Sequence, residues 1–185
     1  PHLLRLNLKT TLTLPAMRRG LVPGFLALAS TLLIAQQQQL RPPAVPLIAH
    51  DPYYSVWSFA DKLTDAPTVH WTGKRQPMHG LVRIDGKAYR FMGRAPEDVP
   101  AMEQTGLQVT PLHTIYQFEA AGVHLTVTFF TPALPRDLDV LSRPVTYLTL
   151  TATGEGAHTV SALVDVNPVI AVNTADEAVT WGRTK

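Results

Sequence analysis

The stretch VRIDGKAYRF, residues Val82 to Phe91, has the form of a β-hairpin. Its centre is Asp85-Gly86, a dipeptide that suits the left-handed positions of a tight hairpin turn between two short β-prone runs. Further along, VHLTVTFF (Val123 to Phe130) alternates apolar and polar residues with a period of two. This period places successive side chains on opposite faces of a strand. Both stretches predict antiparallel β-structure.

The same alternation recurs in two later segments, residues 145–152 and 159–166. Ala121-Gly122 offers another turn, and the 16 prolines favour loops over long helices. Only Arg136 to Leu141 suggests a short helix, and Ala178 to Trp181 reads as the opening of a further strand. Short strands punctuated by turn residues are typical of an antiparallel β-sandwich, so an all-β fold is predicted.

The beginning of the chain has the pattern of a secretory signal peptide. Met17 is the first methionine, Arg18 and Arg19 follow it, and residues 21–34 are largely apolar up to a cleavage position at Ala35. The apolar run has about 14 residues, which is fewer than the roughly 20 that a membrane-spanning helix needs. We therefore expect an exported protein, secreted or periplasmic, without a stable membrane anchor.

This interpretation divides the chain into four parts. Residues 1–16 are an upstream non-native segment, and residues 17–35 are the signal peptide. Residues 36–80 form an arm rich in proline and aromatic side chains, and residues 81–185 form the β-sandwich domain, incomplete at its C-terminus. The border between the last two parts is a matter of convenience, because the arm can belong to the same sandwich.

Charge and cysteine content exclude several classes of function. Four of the 16 basic residues precede Gln36 and none of the 14 acidic residues does, which leaves a net charge of −2 beyond the leader. Nucleic-acid binding therefore lacks its electrostatic basis. Because the chain has no cysteine, it forms no disulfide, thiolate zinc site or cysteine nucleophile.

The arm contains the candidate binding residues. They are a carboxylate between His50 and Pro52, two indoles and one imidazole, all within a cluster of aromatic side chains: Asp51, Trp57, His70 and Trp71. Structural alternatives exist for each of them. A carboxylate before a proline often caps a turn, and large aromatic residues in a small β-domain are often core or interface anchors. The two indoles can also present flat faces to sugar rings, which leaves a glycan-binding interpretation open.

No motif in the sequence identifies a catalytic site. The chain lacks G-x-S-x-G, S-x-x-K, H-E-x-x-H and the glycine-rich phosphate loops. Its carboxylates are scattered beside turns, and nothing indicates which two of them would face each other across a scissile bond. We therefore assign no catalytic residue, no metal ligand and no cofactor to this chain.

Two long stretches resemble the N-terminal region of secreted glutaminase A-like proteins of bacteria and fungi. The first runs from RPPAVPLIAHDPYYSVWSFADKLTDAPTVHWTGK (Arg41 to Lys74) through LVRIDGKAYRFMG (Leu81 to Gly93). The second is TPALPRDLDVLSRPVTYLTL (Thr131 to Leu150). The resemblance implies a longer protein, in which an N-terminal β-sandwich is joined to a C-terminal helical (α/α) toroid. It also implies hydrolysis of L-glutamine to L-glutamate and ammonia, and it supplies no catalytic residue for this stretch.

The expected function is therefore that of a non-catalytic N-terminal module. Its partner would be the toroid of the same chain, and a small-molecule substrate would be bound by the full protein. Two alternatives remain open. The helical part of the family resembles that of six-hairpin glycosidases, so the module can belong to a carbohydrate-active enzyme, or it can be a stand-alone glycan-binding domain.

Overall fold

The structure is a computed structural model that describes residues 4–6, 42–180 and 182. The signal peptide predicted at residues 17–35 lies outside this set, as does Trp181. Among the described residues, no helix has the length and apolar character needed to cross a membrane.

The regular secondary structure of the described residues is almost entirely antiparallel strand, which confirms the predicted all-β class. The strands are β1 (Leu4–Leu6), β2 (Val45–Ala49), β3 (Ser55–Ser58), β4 (Met78–Ile84), β5 (Lys87–Met92), β6 (Glu103–Val109), β7 (His113–Ala120), β8 (Val123–Phe130), β9 (Tyr147–Gly154) and β10 (Val160–Val166). They form sheets with the orders β1-β10-β4-β5, β2-β3 and β6-β7-β8-β9. The predicted short helix is present as α1 (Leu138–Leu141), and a 3₁₀ helix spans Pro168–Ala171.

The two four-stranded sheets share one hydrophobic core. In β8 the side chains alternate as predicted, with Val123, Leu125, Val127 and Phe129 buried. From the other sheet, Phe91 of β5 meets Phe118 of β7, with ring centroids 6.3 Å apart. Burial of such side chains is the main favourable term in folding, which explains why the period-two pattern decides the architecture.

The N-terminal arm belongs to this core. Strands β2 and β3 pair as a hairpin, and Val45 and Val56 within it are fully buried together with the core residues of the larger sheets. The Thr114 hydroxyl of β7 donates a hydrogen bond of 2.7 Å to the Pro46 carbonyl oxygen. The border drawn at residue 80 falls inside β4, so the arm and the sheets are continuous in structure.

One end of the sheets, which we call the turn end, is closed by tight connections. Asp85 and Gly86 join β4 to β5 with φ of 48° and 87°, and Ala121 and Gly122 join β7 to β8 with φ of 49° and 75°. Positive φ at both central residues is the requirement of a type I′ turn, whose twist matches that of the strands. The hairpin predicted at Asp85-Gly86 is confirmed.

The opposite end, which we call the arm end, is built from longer segments. It comprises residues 50–54, 70–74, 131–146 and 168–173, which precede, connect or follow the strands there. The expectation of a further strand at the end of the chain is wrong for residues 178–180, which form none.

Candidate functional site

A groove of about 510 Å³ at the arm end contains two of the four candidate residues. It lies between the arm and the segment that follows β10. Its lining combines carboxylate, phenol, imidazole, amine and amide groups with a short apolar wall: Asp51, Tyr53, Tyr54, His70, Thr72, Lys74, Gln76, Ile170, Ala171, Val172 and Asn173. The fold thus brings Asp51 and His70 together from positions 19 residues apart.

Asp51 caps a turn of the arm. Its Oδ1 accepts hydrogen bonds from the backbone N–H groups of Tyr54, at 2.8 Å, and Tyr53, at 2.7 Å. These two donors hold the pKa of the Asp51 carboxyl below its usual range, because they stabilise the ionised form. The capping role considered from the sequence is therefore present, while a contact with a ligand remains a prediction.

His70 uses both ring nitrogens within the arm. Its Nε2 lies 2.9 Å from the Pro52 carbonyl oxygen, which can only accept, so this nitrogen carries the proton. Its Nδ1 then accepts from the Thr72 hydroxyl at 2.8 Å. An imidazole with both nitrogens engaged fixes the conformation of the loop and has no lone pair left for a metal or a substrate proton.

The two candidate tryptophans differ in their surroundings. Trp71 donates its indole N–H to the Pro52 carbonyl oxygen at 2.8 Å, yet 55% of the residue is exposed. Trp57 lies in β3, is half-buried, and its indole nitrogen has no hydrogen-bond partner among the described residues. Trp57 therefore serves the packing of the arm, whereas Trp71 presents its ring to solvent.

Lys74 connects the arm to the segment after β10. Its ammonium nitrogen donates to the Val172 carbonyl oxygen at 2.6 Å and to the Asn173 carbonyl oxygen at 2.5 Å. Behind the lining residue Tyr54, outside the groove lining itself, His50 stacks on the Tyr54 ring with ring centroids 4.9 Å apart, and its Nδ1 lies 3.2 Å from the Thr146 hydroxyl. The groove is therefore lined by three separate parts of the chain, residues 51–54, 70–76 and 170–173.

A second polar cluster lies at the turn end and was not anticipated from the sequence. His158 Nδ1 is 2.6 Å from the Asp85 carboxylate, and His158 Nε2 is 3.2 Å from the Glu155 carbonyl oxygen. Both neighbours are acceptors, so the imidazolium, which donates from both nitrogens, fits this position. The hydrogen bond to Asp85 raises the pKa of His158, and the same bond lowers the pKa of Asp85.

The chemistry available in the described residues is that of hydrogen bonding and aromatic contact. Within residues 42–180, no group of three histidine or acidic side chains converges in a way that could hold a metal ion. The carboxylates of Asp51 and Asp85 and the imidazoles of His70 and His158 each form hydrogen bonds within the chain. Two hydroxyl–imidazole pairs, Thr72 with His70 and Thr146 with His50, lie within hydrogen-bonding reach. Such a pair does not by itself identify a reactive centre.

Two families of unestablished function match most of the chain. Residues 27–102 match a family described as "Domain of unknown function (DUF4964)", and residues 112–185 match one described as "Domain of unknown function (DUF5127)". The border between the two matches falls near the start of β7, within the sheet β6-β7-β8-β9. No solved structure matches the chain significantly.

Among curated proteins, the chain is similar to glutaminases of fungi. It is 27% identical to Glutaminase A of Aspergillus oryzae, over 76% of this chain and 22% of the relative. It is 26% identical to a protein of Arthroderma benhamiae described as a "Probable glutaminase", over 72% of this chain and 17% of the relative. The chain thus spans about a fifth of the length of these relatives. It is a homologue of the fungal glutaminase A proteins and corresponds to their N-terminal part.

Proposed function

We propose that this chain is the N-terminal β-sandwich module of a secreted glutaminase A-like protein, and that the module itself is not catalytic. The observation that carries the proposal is the extent of the similarity. It covers about three quarters of this chain and only about a fifth of each relative. Most of a relative therefore lies outside the matched part, and the reaction is assigned to that remainder.

The geometry of the groove supports a structural role for its polar groups. Asp51 accepts from two backbone donors, His70 is occupied at both nitrogens, and Lys74 donates to two carbonyl oxygens. A general base has to reach a substrate proton with an available lone pair. These side chains are held in place mainly by hydrogen bonds to the backbone, which supports a role in shaping the surface of the groove.

The parent reaction would be hydrolysis of L-glutamine to L-glutamate and ammonia, carried out in the downstream region. The test is to express the full-length protein and the 185-residue chain in parallel and to measure ammonia release from L-glutamine. We expect release by the full-length protein only. Release by the 185-residue chain would contradict the non-catalytic role, and an inert full-length protein would contradict the glutaminase assignment.

A glycan-related function is the second candidate, and the exposed ring of Trp71 favours it. The ring is held in place by its N–H bond to Pro52 while its surface remains open, an arrangement suited to stacking on a sugar. Turnover of oligosaccharides by the full-length protein, with L-glutamine inert, would select this candidate. Binding of oligosaccharides to the 185-residue chain that is lost in Trp71→Ala would select a binding module.

A further inference from the structure

Exposed apolar side chains are concentrated in the connection between β8 and β9. In this connection, Leu134, Leu138 and Leu141 are 46%, 72% and 40% exposed. None of the four residues of α1 is buried, although Asp137 caps the helix by accepting from the Val140 N–H at 3.0 Å. The leucines in and before α1 therefore face solvent and do not pack in the core. A cluster of exposed leucines is uncommon on a surface that contacts no partner.

The arm contributes a second exposed apolar group. Tyr53 is 91% exposed and Trp71 is 55% exposed. Both are held on ordered backbone, since Asp51 caps the turn that contains Tyr53, and Pro52 accepts the indole N–H of Trp71. Exposed tyrosine and tryptophan side chains are common anchors of interfaces.

The two groups lie at the same end of the molecule because His50 connects them. His50 stacks on Tyr54 of the arm and contacts Thr146, the residue that closes the β8–β9 connection. The Thr146 hydroxyl is in turn 3.0 Å from that of Thr131, where the connection begins. The arm end thus carries exposed apolar side chains from both segments.

The chain also leaves the sheets at this end. After β10, the 3₁₀ helix Pro168–Ala171 forms a wall of the groove, and Lys74 holds the two residues that follow it. Residues beyond this clamp therefore start beside the arm, whose exposed Tyr53 lines the same groove. A downstream region attached there is held at high local concentration, so that a modest apolar patch is sufficient for stable contact.

From these observations we propose that the arm end is a docking surface for the region of the full-length chain that follows residue 185. The proposal rests on the proposed function insofar as it requires such a region. The docking partner is a surface with apolar pockets that receive Tyr53, Trp71 and the leucines around α1. Polar groups at the rim of the patch, such as Asp137, remain in water, as in other domain interfaces.

The test places a positive charge on the most exposed members of the surface. Tyr53→Lys and Leu138→Lys are made in both the full-length protein and the 185-residue chain, with Thr153→Lys as the control. Thr153 is exposed in β9 next to the turn end. Unfolding is followed by calorimetry. In the full-length protein we expect each arm-end substitution to lower the Tm of the module by about 2–4 °C. In the 185-residue chain all three variants should unfold as the wild type does.

The outcomes separate docking from the glutaminase assignment. If the arm-end substitutions leave the Tm of the full-length protein unchanged, or if Thr153→Lys lowers it equally, the proposal fails whatever the activity is. If the full-length protein is inert towards L-glutamine but the Tm shifts are seen, the docking surface stands and the assigned activity fails. Self-association of the 185-residue chain that Leu138→Lys abolishes in sedimentation would replace the proposed partner by a second copy of this chain.

Discussion

At the turn end, β4–β5 and β7–β8 are joined by two-residue turns. An exposed ion pair between His158 and Asp85 ties the connection before β10 to the β4–β5 turn. At the arm end, the same sheets are continued by a proline-rich arm, a 16-residue connection and a clamped 3₁₀ helix. At the second end, several large apolar side chains are exposed: Tyr53, Trp71, Leu134, Leu138 and Leu141. The difference indicates that stability is secured locally at one end, while the other is available for contact.

The largest effect is expected where the arm enters the core. Leu47 of β2 is buried, and its replacement by alanine should lower the free energy of unfolding by about 2–5 kcal/mol, through lost burial and the cavity that remains. Tyr53→Ala, in the exposed part of the same arm, serves as the control and should change stability by about 0.5 kcal/mol at most. Urea unfolding of both variants measures these changes in the free energy of unfolding. Equal, small effects would show that the arm is an appendage of the sheets.

The next comparison is of the stability lost at two glycines with positive φ, Gly86 before β5 and Gly93 after it. A Cβ at Gly93, which follows β5 on the arm-end side, would lie 2.6 Å from the Met78 carbonyl oxygen, whereas one at Gly86 in the turn would meet nothing within 4 Å. Gly86→Ala should cost about 1–2 kcal/mol through backbone strain alone. Gly93→Ala should cost about 1–3 kcal/mol more through the clash. Thermal unfolding of the pair compares them, and an equal loss would argue against the close packing at Gly93.

A smaller effect is expected from the anchor of the exposed indole. Trp71→Phe removes the N–H that Pro52 accepts and keeps an aromatic ring, so it should cost about 0.5–1.5 kcal/mol in urea unfolding. Trp71→Ala is the companion variant. If Trp71→Ala leaves the 185-residue chain unfolded, the ring is a core anchor, and its assignment to the exposed surface is wrong.

The smallest effect concerns the ion pair at the turn end and depends on pH. The pKa of His158 is raised above its ordinary 6.5. The stability that the protonated imidazole contributes is therefore fully present below pH 6.5 and is lost as the pH rises through the pKa of His158 in the folded protein. The pKa of Asp85 is lowered from 3.8. The stability that the ionised carboxylate contributes is therefore fully present above pH 3.8 and is lost as the pH falls through the pKa of Asp85 in the folded protein. The pair should therefore stabilise the fold fully between about pH 3.8 and 6.5.

Asp85→Asn isolates this contribution. Asparagine tolerates the left-handed φ of the turn and keeps an oxygen for the Thr159 N–H, which Asp85 accepts at 2.8 Å. The stability difference between wild type and variant should be largest between pH 4 and 6 and should shrink at alkaline pH. A difference that does not vary with pH would mean that the charge on the pair adds nothing to the fold.

Features with local sequence signals could be predicted, and those made by distant residues could not. The turn at Asp85-Gly86, the alternation in β8 and the helix after Asp137 each depend on neighbours within a few residues. The contact between Lys74 and Asn173 joins residues 99 positions apart, and the contact between Asp85 and His158 joins residues 73 positions apart. No local pattern specifies such pairs, because they form only after the sheets have packed.

In the candidate site, too, local features could be predicted from the sequence and contacts between distant residues could not. The turn formed by Asp51 was anticipated because an aspartate before proline caps locally. The groove itself was not, since its far wall comes from residues after β10. The exposure of Trp71 and the burial of the Trp57 indole nitrogen depend on which strands cover them. The two tryptophans therefore could not be distinguished from the sequence.

The most direct test of the account compares amide hydrogen exchange in the full-length protein and in the 185-residue chain. If the arm end is the docking surface, residues 50–54, 70–74 and 131–146 should gain protection in the full-length protein, while the turn-end residues 85–86, 121–122 and 155–158 exchange equally in both. Equal exchange at the arm end in both proteins, or protection gained only at the turn end, would contradict a docking surface at the arm end.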